Sequence, residues 1–235
     1  MSRRFISFYT VFIFSPFFLY AQPLDSTTLL VKKTSDFAIT GNGNSVNWNI
    51  TEWVVLTQQK NKEPYYETRF KILYSDSGIY CLYYCEDKKI TATLEEDFSD
   101  LWHEDVVEAF LQPDESIPLY FEYELSPLNK ELAILVPNFN GNFFGWRPWH
   151  YEGDRKTIHT THVEKNGEKN ASWSAEFFIP YALLKPLQNI PPGKGTKWHA
   201  NFYRIDHDNG AVDWTWKLVR TNFHDYERFG TIVFE

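Results

Sequence analysis

The sequence contains few cysteines and a single methionine: Cys81, Cys85 and Met1 are the only examples in 235 residues. Both cysteines fall in one predicted strand, 79–85, where four residues span about 13 Å. A disulfide requires Cα atoms within about 7 Å of each other, so the two cysteines should not pair. We expect two packed free thiols on one face of this strand. Neither a Cys-x-x-Cys motif nor a histidine cluster accompanies them, which argues against a zinc site.

Long apolar runs are also scarce, and the only one is residues 5–18. It follows two arginines and precedes Ala21, a small residue at a cleavage position, which is typical of a secretory signal peptide. The run is short and contains proline, so it does not favour a membrane span. We predict a signal peptide over 1–21 and one mature domain over 22–235. We expect a periplasmic or secreted protein without a further membrane span; an uncleaved anchor is the alternative.

Basic residues are fewer than acidic ones: the chain has 23 Lys and Arg against 31 Asp and Glu, and its net charge is −8. A nucleic-acid partner would require a basic stripe, so we exclude this class. Aromatic residues are abundant instead, at 18% of the chain with 9 tryptophans. Trp53, Trp173 and Trp198 lie in strand patterns and are expected in the core. Trp214 and Trp216 share one face, which suits either the core or a surface platform.

Alternating apolar and polar residues predict strand and turn almost everywhere after residue 36. The predicted strands are 37–41, 67–74, 79–85, 106–111, 119–125, 131–136, 157–164, 171–179, 198–206, 214–219 and 229–234. Glycine-containing turns at 75–78 and 165–167 join two pairs into hairpins. Pro180 is suited to open one short helix. This pattern predicts an all-β, antiparallel β-sandwich of jelly-roll type with one short helix, and a monomer.

One acidic residue, Glu108, interrupts the most apolar of these strands. A carboxylate buried without a partner costs roughly several kcal/mol, so Glu108 needs either a protein base or a ligand hydroxyl. Trp102 stands just before the strand, and a flat aromatic ring beside a fixed carboxylate is a common way to hold a sugar. The alternative is a core tryptophan with an acid paired to arginine. Arg69, Arg204 and Arg220 are the candidate partners of Glu108.

A series of motifs then follows in a fixed order along the chain. They are Phe37-Ala-Ile-Thr-Gly41, Arg69-Phe-Lys-Ile-Leu-Tyr74, Leu101-Trp-His-Glu-Asp-Val-Val-Glu-Ala-Phe-Leu111, Tyr120-Phe-Glu-Tyr-Glu-Leu-Ser-Pro127, Glu176-Phe-Phe-Ile-Pro-Tyr-Ala-Leu183, Asn201-Phe-Tyr-Arg-Ile-Asp206 and Phe223-His-Asp-Tyr-Glu-Arg-Phe-Gly-Thr-Ile232. Together they resemble carbohydrate-binding module family 9, especially its stand-alone exported bacterial relatives. The resemblance covers almost the whole mature chain.

The resemblance implies a β-sandwich with a non-catalytic site for a mono-, oligo- or polysaccharide. By motif position, Trp102 matches the first of two clamping tryptophans and Glu108 matches the site glutamate. The other positions of the family's site carry different residue types in this chain: Phe223 for the second tryptophan, Glu124 for an arginine, Tyr203 for an amide and Arg220 for another polar group. Trp146 and Trp149, in a loop rich in glycine and aromatics, are candidates for a replacement plate.

The same resemblance implies structural calcium only weakly, because the acidic stretches 95–97 and 206–208 lack a dense ligand pattern. We therefore predict no metal, no cofactor and no catalytic residue. Three other functions stay open at this point. A glycoside hydrolase would use Glu108 with Glu122 or Glu124 as paired carboxyls. A haem protein would need axial histidines, and a structural or protein-interaction sandwich would use its aromatics in the core or an interface.

Overall fold

The computed structural model describes residues 28–167 and 169–235. The predicted signal peptide and its cleavage point lie outside the described residues. The described chain is built from strands: β1 (Thr28–Lys33), β2 (Val54–Val55), β3 (Thr57–Gln58), β4 (Thr68–Tyr74), β5 (Gly78–Glu86), β6 (Val106–Gln112), β7 (Leu119–Leu125), β8 (Glu131–Phe139), β9 (Asn142–Phe143), β10 (Arg147–Pro148), β11 (Ile158–Asn166), β12 (Lys169–Pro180), β13 (Lys197–Asp206), β14 (Val212–Thr215) and β15 (Gly230–Phe234). A single four-residue helix, α1 (Tyr181–Leu184), follows β12 in the described part, where Pro180 predicts it.

The strands form two sheets that meet at β1. The site sheet has the order β10-β8-β7-β6-β13-β15, and the back sheet has the order β4-β5-β12-β11. The first half of β1 pairs in parallel with β15, and its last two residues pair in parallel with β4. The strands along each of these two orders pair antiparallel. The shorter strands β2, β3, β9 and β14 pair at the margins.

The hydrophobic core lies between the inner faces of the two sheets. Phe70 of the back sheet stacks on Phe202 of the site sheet with ring centroids 4.1 Å apart. The rings of Tyr123 and Phe177 meet across the same space at 4.6 Å. Aromatic rings bury large apolar areas, so these contacts supply much of the stabilisation between the sheets. The predicted all-β sandwich is therefore confirmed.

The tryptophans and cysteines of the strand patterns contribute to this core. Trp173, Trp198 and Trp214 are buried. Trp53 and Trp216 are half-buried and pack against buried clusters. Cys81 and Cys85 are both buried free thiols, as the spacing along β5 predicts. Burial raises the pKa of the Cys85 thiol to about 12, so it remains protonated.

Two of the predicted strands differ from the structure because side chains bind their backbone. Residues 37–41 form no strand, since the N–H groups of Thr40 and Gly41 donate to the Glu176 carboxylate at 2.8 and 2.7 Å. A backbone donor that is bound by a side chain is not free to join a ladder. Strand β14 ends at Thr215 rather than at residue 219. The Lys217 N–H donates to Asn201 Oδ1 at 2.9 Å, which turns the chain away from the sheet.

Candidate functional site

A cleft of about 530 Å³ opens on the outer face of the site sheet, over β6, β7 and β13. Its floor comes from alternate residues of these strands, whose sequence neighbours face the core. Because side chains alternate along a strand, one set of strands supplies both the core and the cleft. A concave site with a few polar groups on an apolar floor is the usual form of a small-ligand site.

Aromatic rings stand around the rim of the cleft. Trp102 lies in the 3-10 turn Leu101–His103 just before β6 and is half-buried. It meets Trp146 edge to face, with centroids 6.3 Å apart and an interplanar angle of 75°. Phe223 comes from the segment 219–224 and stacks on Tyr203, with centroids 4.0 Å apart and an angle of 11°. Trp102, Trp146 and Phe223 all line the cleft.

Three glutamates lie on the floor of the cleft, and we call them the glutamate cluster: Glu108, Glu122 and Glu124. Strand register places Glu108 directly opposite Glu124, and Phe110 opposite Glu122. All three side chains are buried, with relative exposures of 2%, 4% and 0%. Both carboxyl oxygens of Glu124 and Oε2 of Glu122 accept no well-formed hydrogen bond from a protein donor among the described residues. Glu122 and Glu124 hydrogen-bond each other when one of the two carboxyls carries a proton. Buried carboxyls in this state are costly to ionise.

The carboxyls of this cluster are unusually weak acids. Burial is the main cause, since it raises the pKa of each one well above the ordinary value. Repulsion between the carboxylates adds to the effect, because each glutamate of the cluster raises the pKa of a neighbour. Glu124 acts on Glu108, Glu108 acts on Glu122, and Glu122 acts on Glu124. The main-chain N–H of Trp102 favours the ionised form of Glu124 slightly. The cluster therefore holds more protons at neutral pH than three exposed glutamates would.

The predicted partnership between Glu108 and Arg204 is wrong. Arg204 points to the inner side of the site sheet and pairs with Asp87 at 3.1 Å and Asp206 at 2.6 Å. Strand pairing explains the result, because Glu108 lies opposite Tyr203, and the next residue along β13 faces the other way. The guanidinium and both aspartates are fully buried, so they form an internal ion-pair network.

The other two predicted arginine partners also lie elsewhere. Arg69 pairs with Glu67 at 2.7 Å and covers the rings of Trp53 and Tyr84 on the back sheet. Arg220 lines the cleft, but its guanidinium binds two acids of its own segment, Asp225 and Glu227, both at 2.6 Å. Neither arginine is paired with the glutamate cluster, so the cluster has no arginine counter-ion among the described residues.

The match to known families decides what kind of protein this is. A model of carbohydrate-binding family 9 matches residues 42–234. The chain belongs to carbohydrate-binding family 9. This family consists of modules that bind carbohydrate without catalysing its conversion. No curated protein sequence matches the chain.

Solved structures with the family-9 fold resemble this chain over most of its length. A protein of Bacteroides uniformis assigned to carbohydrate binding superposes with a TM-score of 0.71 at 19% identity, covering 88% of this chain and 99% of its own. A family-9 module of Caldicellulosiruptor kristjanssonii in complex with cellotriose gives 0.65 at 16%, covering 88% and 93%. Its complex with glucose gives 0.65 at 16%, covering 88% and 95%. At these identities the likeness shows the fold alone.

Two of the candidate site residues inferred from sequence, one family-9 position and one loop tryptophan, lie away from the cleft surface. Tyr203 is fully buried beneath Phe223, and its hydroxyl donates to the Phe223 carbonyl at 3.0 Å. It supports Phe223 rather than facing a ligand. The prediction for Trp149 is wrong, because its indole N–H donates to the Leu183 carbonyl at 2.8 Å and its ring packs on the core. Trp146, three residues earlier, does line the cleft.

Sequence reasoning missed His224, which lines the cleft beside Phe223. Its Nδ1 lies 2.6 Å from the Tyr120 hydroxyl and 3.7 Å from Oε2 of Glu122. Burial lowers the pKa of His224 to about 4, so it is neutral at neutral pH. The imidazole is therefore a polar neighbour of the cluster rather than a counter-ion. Only its place next to Phe223 in the closing motif could have identified it from sequence.

A second acidic group in this family-9 chain consists of Asp87, Asp206 and Asp208, whose oxygens lie within 4.8 Å of one another. It includes part of the 206–208 stretch that the sequence links weakly to calcium. Arg204 already binds Asp87 and Asp206, so positive charge is present without a metal. Calcium prefers a shell of six to eight oxygens. The three aspartates bring together three such oxygens, fewer than this shell, and the expected absence of a metal or cofactor stays a prediction.

We expect Glu124→Gln to stabilise the protein at pH 8 by about 1 kcal/mol or more, and to have less effect at pH 5. The folded-state pKa of Glu124 is raised, so the native protein binds more protons than the unfolded chain and loses stability as pH rises through this range. Glutamine is neutral at both values. Urea unfolding at the two pH values measures the difference. The exposed Glu164→Gln is the matched control, and an equal effect of Glu124→Gln at both pH values would contradict the assignment.

Proposed function

We propose that this protein binds a mono-, oligo- or polysaccharide, without converting it, in the cleft on the outer face of the site sheet. One observation carries the proposal: the half-buried ring of Trp102 and the buried carboxyl of Glu108 line the same cleft. An aromatic ring covers the C–H face of a sugar, while carboxyl oxygens accept from its hydroxyls. Membership in carbohydrate-binding family 9 supports the ligand class.

The remaining residues of the proposed site have distinct roles. Trp146 meets Trp102 edge to face and extends the aromatic wall, and Phe223 provides a ring from the segment 219–224. Glu124 presents a second carboxyl directly across from Glu108. Arg220 lies at the margin, bound to its own acids, and serves as a polar edge. The glucose and cellotriose bound by the Caldicellulosiruptor kristjanssonii module indicate which neutral sugars to test first.

The cellular setting is part of the proposal. The two arginines, the apolar run 5–18 and Ala21 support export to the periplasm or the medium. Among the described residues, no helix is long and apolar enough to cross a membrane. We infer that residues 22–235 act as one monomeric domain that captures sugars outside the cytoplasm for their breakdown and use.

The alternative functions receive less support from the geometry. A glycoside hydrolase needs one protonated and one ionised carboxyl, and environments that separate their pKa values. Here burial raises the pKa of all three cluster glutamates in the same direction. The cleft's histidine, His224, lies beside the buried carboxyl of Glu122 on an acidic floor, which does not favour a haem group that carries carboxylates of its own. A concave acidic cleft also differs from the flatter apolar patch of a protein interface.

Calorimetric titration with glucose, cellobiose and longer oligosaccharides tests the proposal, with parallel incubation on aryl-glycosides and polysaccharides. We expect heats of binding and no released product. Heat from no sugar of a broad panel would contradict carbohydrate binding in the cleft. Turnover that Glu108→Gln abolishes would show a hydrolase instead.

A further inference from the structure

The glutamate cluster has an ionised form whose charge a neutral sugar cannot balance. Three carboxyls share one floor, and three of their buried oxygens accept no well-formed hydrogen bond from a protein donor among the described residues. A ligand that only accepts hydrogen bonds would leave these oxygens unpaired. A ligand that only donates neutral hydroxyls would hydrogen-bond them without balancing their charge. A cationic donor would do both, because charge-assisted hydrogen bonds are about twice as strong as neutral ones.

The charged and titratable groups around the cluster do not supply that cation. Arg220 is held by two acids of its own segment. Lys60 is exposed, and its charge acts on Asp213, a further acid of the cleft whose pKa burial raises. His224 is neutral at neutral pH. The buried hydroxyls of Tyr120 and Tyr203 are not cationic, so neither lysine nor arginine forms an ion pair with the glutamate cluster among the described residues.

A metal ion does not fit the same carboxyls. Among the described residues, only Asp87, Asp206 and Asp208 bring three ligand oxygens within 4.8 Å of one another. The oxygens of the glutamate cluster are therefore spread too widely for one ion to bind all three carboxyls. They surround a larger space, bordered by Trp102 and Trp146. An organic cation of the size of one sugar ring matches this space better than a bare ion.

We propose that the preferred ligand is an amino sugar with a free, protonated amine, such as a 2-amino-2-deoxyhexose unit, alone or at the end of a chain. This inference rests on the proposed function and names the sugar class within it. The ammonium group donates to Glu124 and its cross-strand partner Glu108. The ring lies against Trp102, and an ammonium close to an indole face gains cation–π attraction.

The proposal predicts discrimination against the N-acetylated sugar. Acetylation removes the positive charge and two N–H donors from the amine. It also adds a carbonyl oxygen, which accepts hydrogen bonds and so cannot bind the carboxylate oxygens of the cluster. A charge-assisted hydrogen bond lost in this way corresponds to roughly 10- to 100-fold weaker binding. Neutral hexoses lack the charge but keep the hydroxyls, so they should bind with intermediate affinity.

Binding should also release protons. In the free protein the cluster holds protons, and an ammonium beside the carboxyls favours their ionised form. Affinity for the amino sugar should therefore rise with pH up to the point where the amine itself loses its proton. Glucose, which carries no charge, should show little proton release. Titrations in two buffers with different ionisation enthalpies measure the protons released.

The experiment is calorimetry of the whole protein with glucosamine, N-acetylglucosamine and glucose at pH 6.5, together with Glu124→Gln, Glu108→Gln and the exposed control Glu164→Gln. We expect glucosamine to bind at least about 10-fold tighter than glucose. Each cluster variant should lose most of this preference, while Glu164→Gln should keep it. Thermal melting of each variant verifies that it is folded.

The outcomes separate the two proposals. Glucose binding as tightly as glucosamine would overturn the amino-sugar inference and leave sugar binding in the cleft intact. An amino-sugar preference that survives in both cluster variants would also overturn it, because the ammonium would then bind elsewhere. Binding of no sugar at all would overturn the proposed function and this inference together.

Discussion

Replacing Trp102 with alanine should weaken sugar binding by about 2 kcal/mol or more, which is roughly 30-fold, and lower the melting temperature only slightly. The ring is half-buried at the rim of the cleft and lies outside the core between the sheets. Its removal takes away the plate that we propose for the sugar's C–H face, while the inter-sheet packing stays intact. Calorimetric titration and thermal melting on the same sample separate the two effects.

Trp173→Ala is the matched control for this result. Trp173 is buried between the sheets with 1% exposure, and large-to-alanine changes in a core cost about 3–5 kcal/mol. We expect this variant to melt far below the native protein. If Trp102→Ala unfolds to a similar extent, Trp102 is a core residue. If it binds sugar as tightly as the native protein, the plate lies elsewhere.

Replacing Arg204 with methionine should destabilise the protein by about 3–5 kcal/mol, the largest effect that we expect from a single charged residue. The guanidinium neutralises Asp87 and Asp206 in a place that water does not reach. Burial raises the pKa of Asp87 to about 7 even with the arginine present. Without Arg204 both aspartates must take up protons, so the loss should be smaller at pH 5 than at pH 8. Urea unfolding at the two pH values measures it.

Arg69→Met makes the same substitution at a surface ion pair. Arg69 binds Glu67, and both side chains are partly exposed, so this change should cost less than about 1 kcal/mol. Asp87→Asn combined with Arg204→Met should recover part of the loss, because one buried charge is then removed. An Arg204→Met protein as stable as Arg69→Met would show that the internal network contributes little.

The sequence predicts local structure well because alternation is a local property. Strand β7 covers Leu119–Leu125, as predicted, and Glu108 lies on the face that its position along β6 indicates. The pairing of strands, in contrast, is not a local property and could not be predicted from the sequence. That Glu108 lies opposite Tyr203, while Arg204 faces the core, depends on how β6 and β13 align, and no residue near either strand encodes that register.

The rim of the cleft was harder to predict for a related reason. Trp146 and Trp149 lie three residues apart, yet the two-residue strand β10 between them sends one ring to the cleft and the other to the core. In an extended segment, residues three apart point to opposite faces, but the sequence of this glycine-rich loop does not show that it pairs with β8. His224 could not be identified from sequence because it reaches the cleft only when the segment 219–224 folds over the site sheet. Strand β1 does not follow from the sequence because Leu29, Leu30 and Val31 are consecutive apolar residues without the alternation that identifies the other strands.

The position of β1 has a consequence for the order in which the molecule assembles. Its first half completes the site sheet beside β15, and its last two residues complete the back sheet beside β4. Because β15 is near the end of the chain, this strand closes the longest loop in the fold, and long loops close late and slowly. Until then one edge of β15 and the Leu73–Tyr74 end of β4 are unpaired, and open edges invite pairing with other chains. The interval before β1 docks is therefore when the folding protein is most exposed to aggregation.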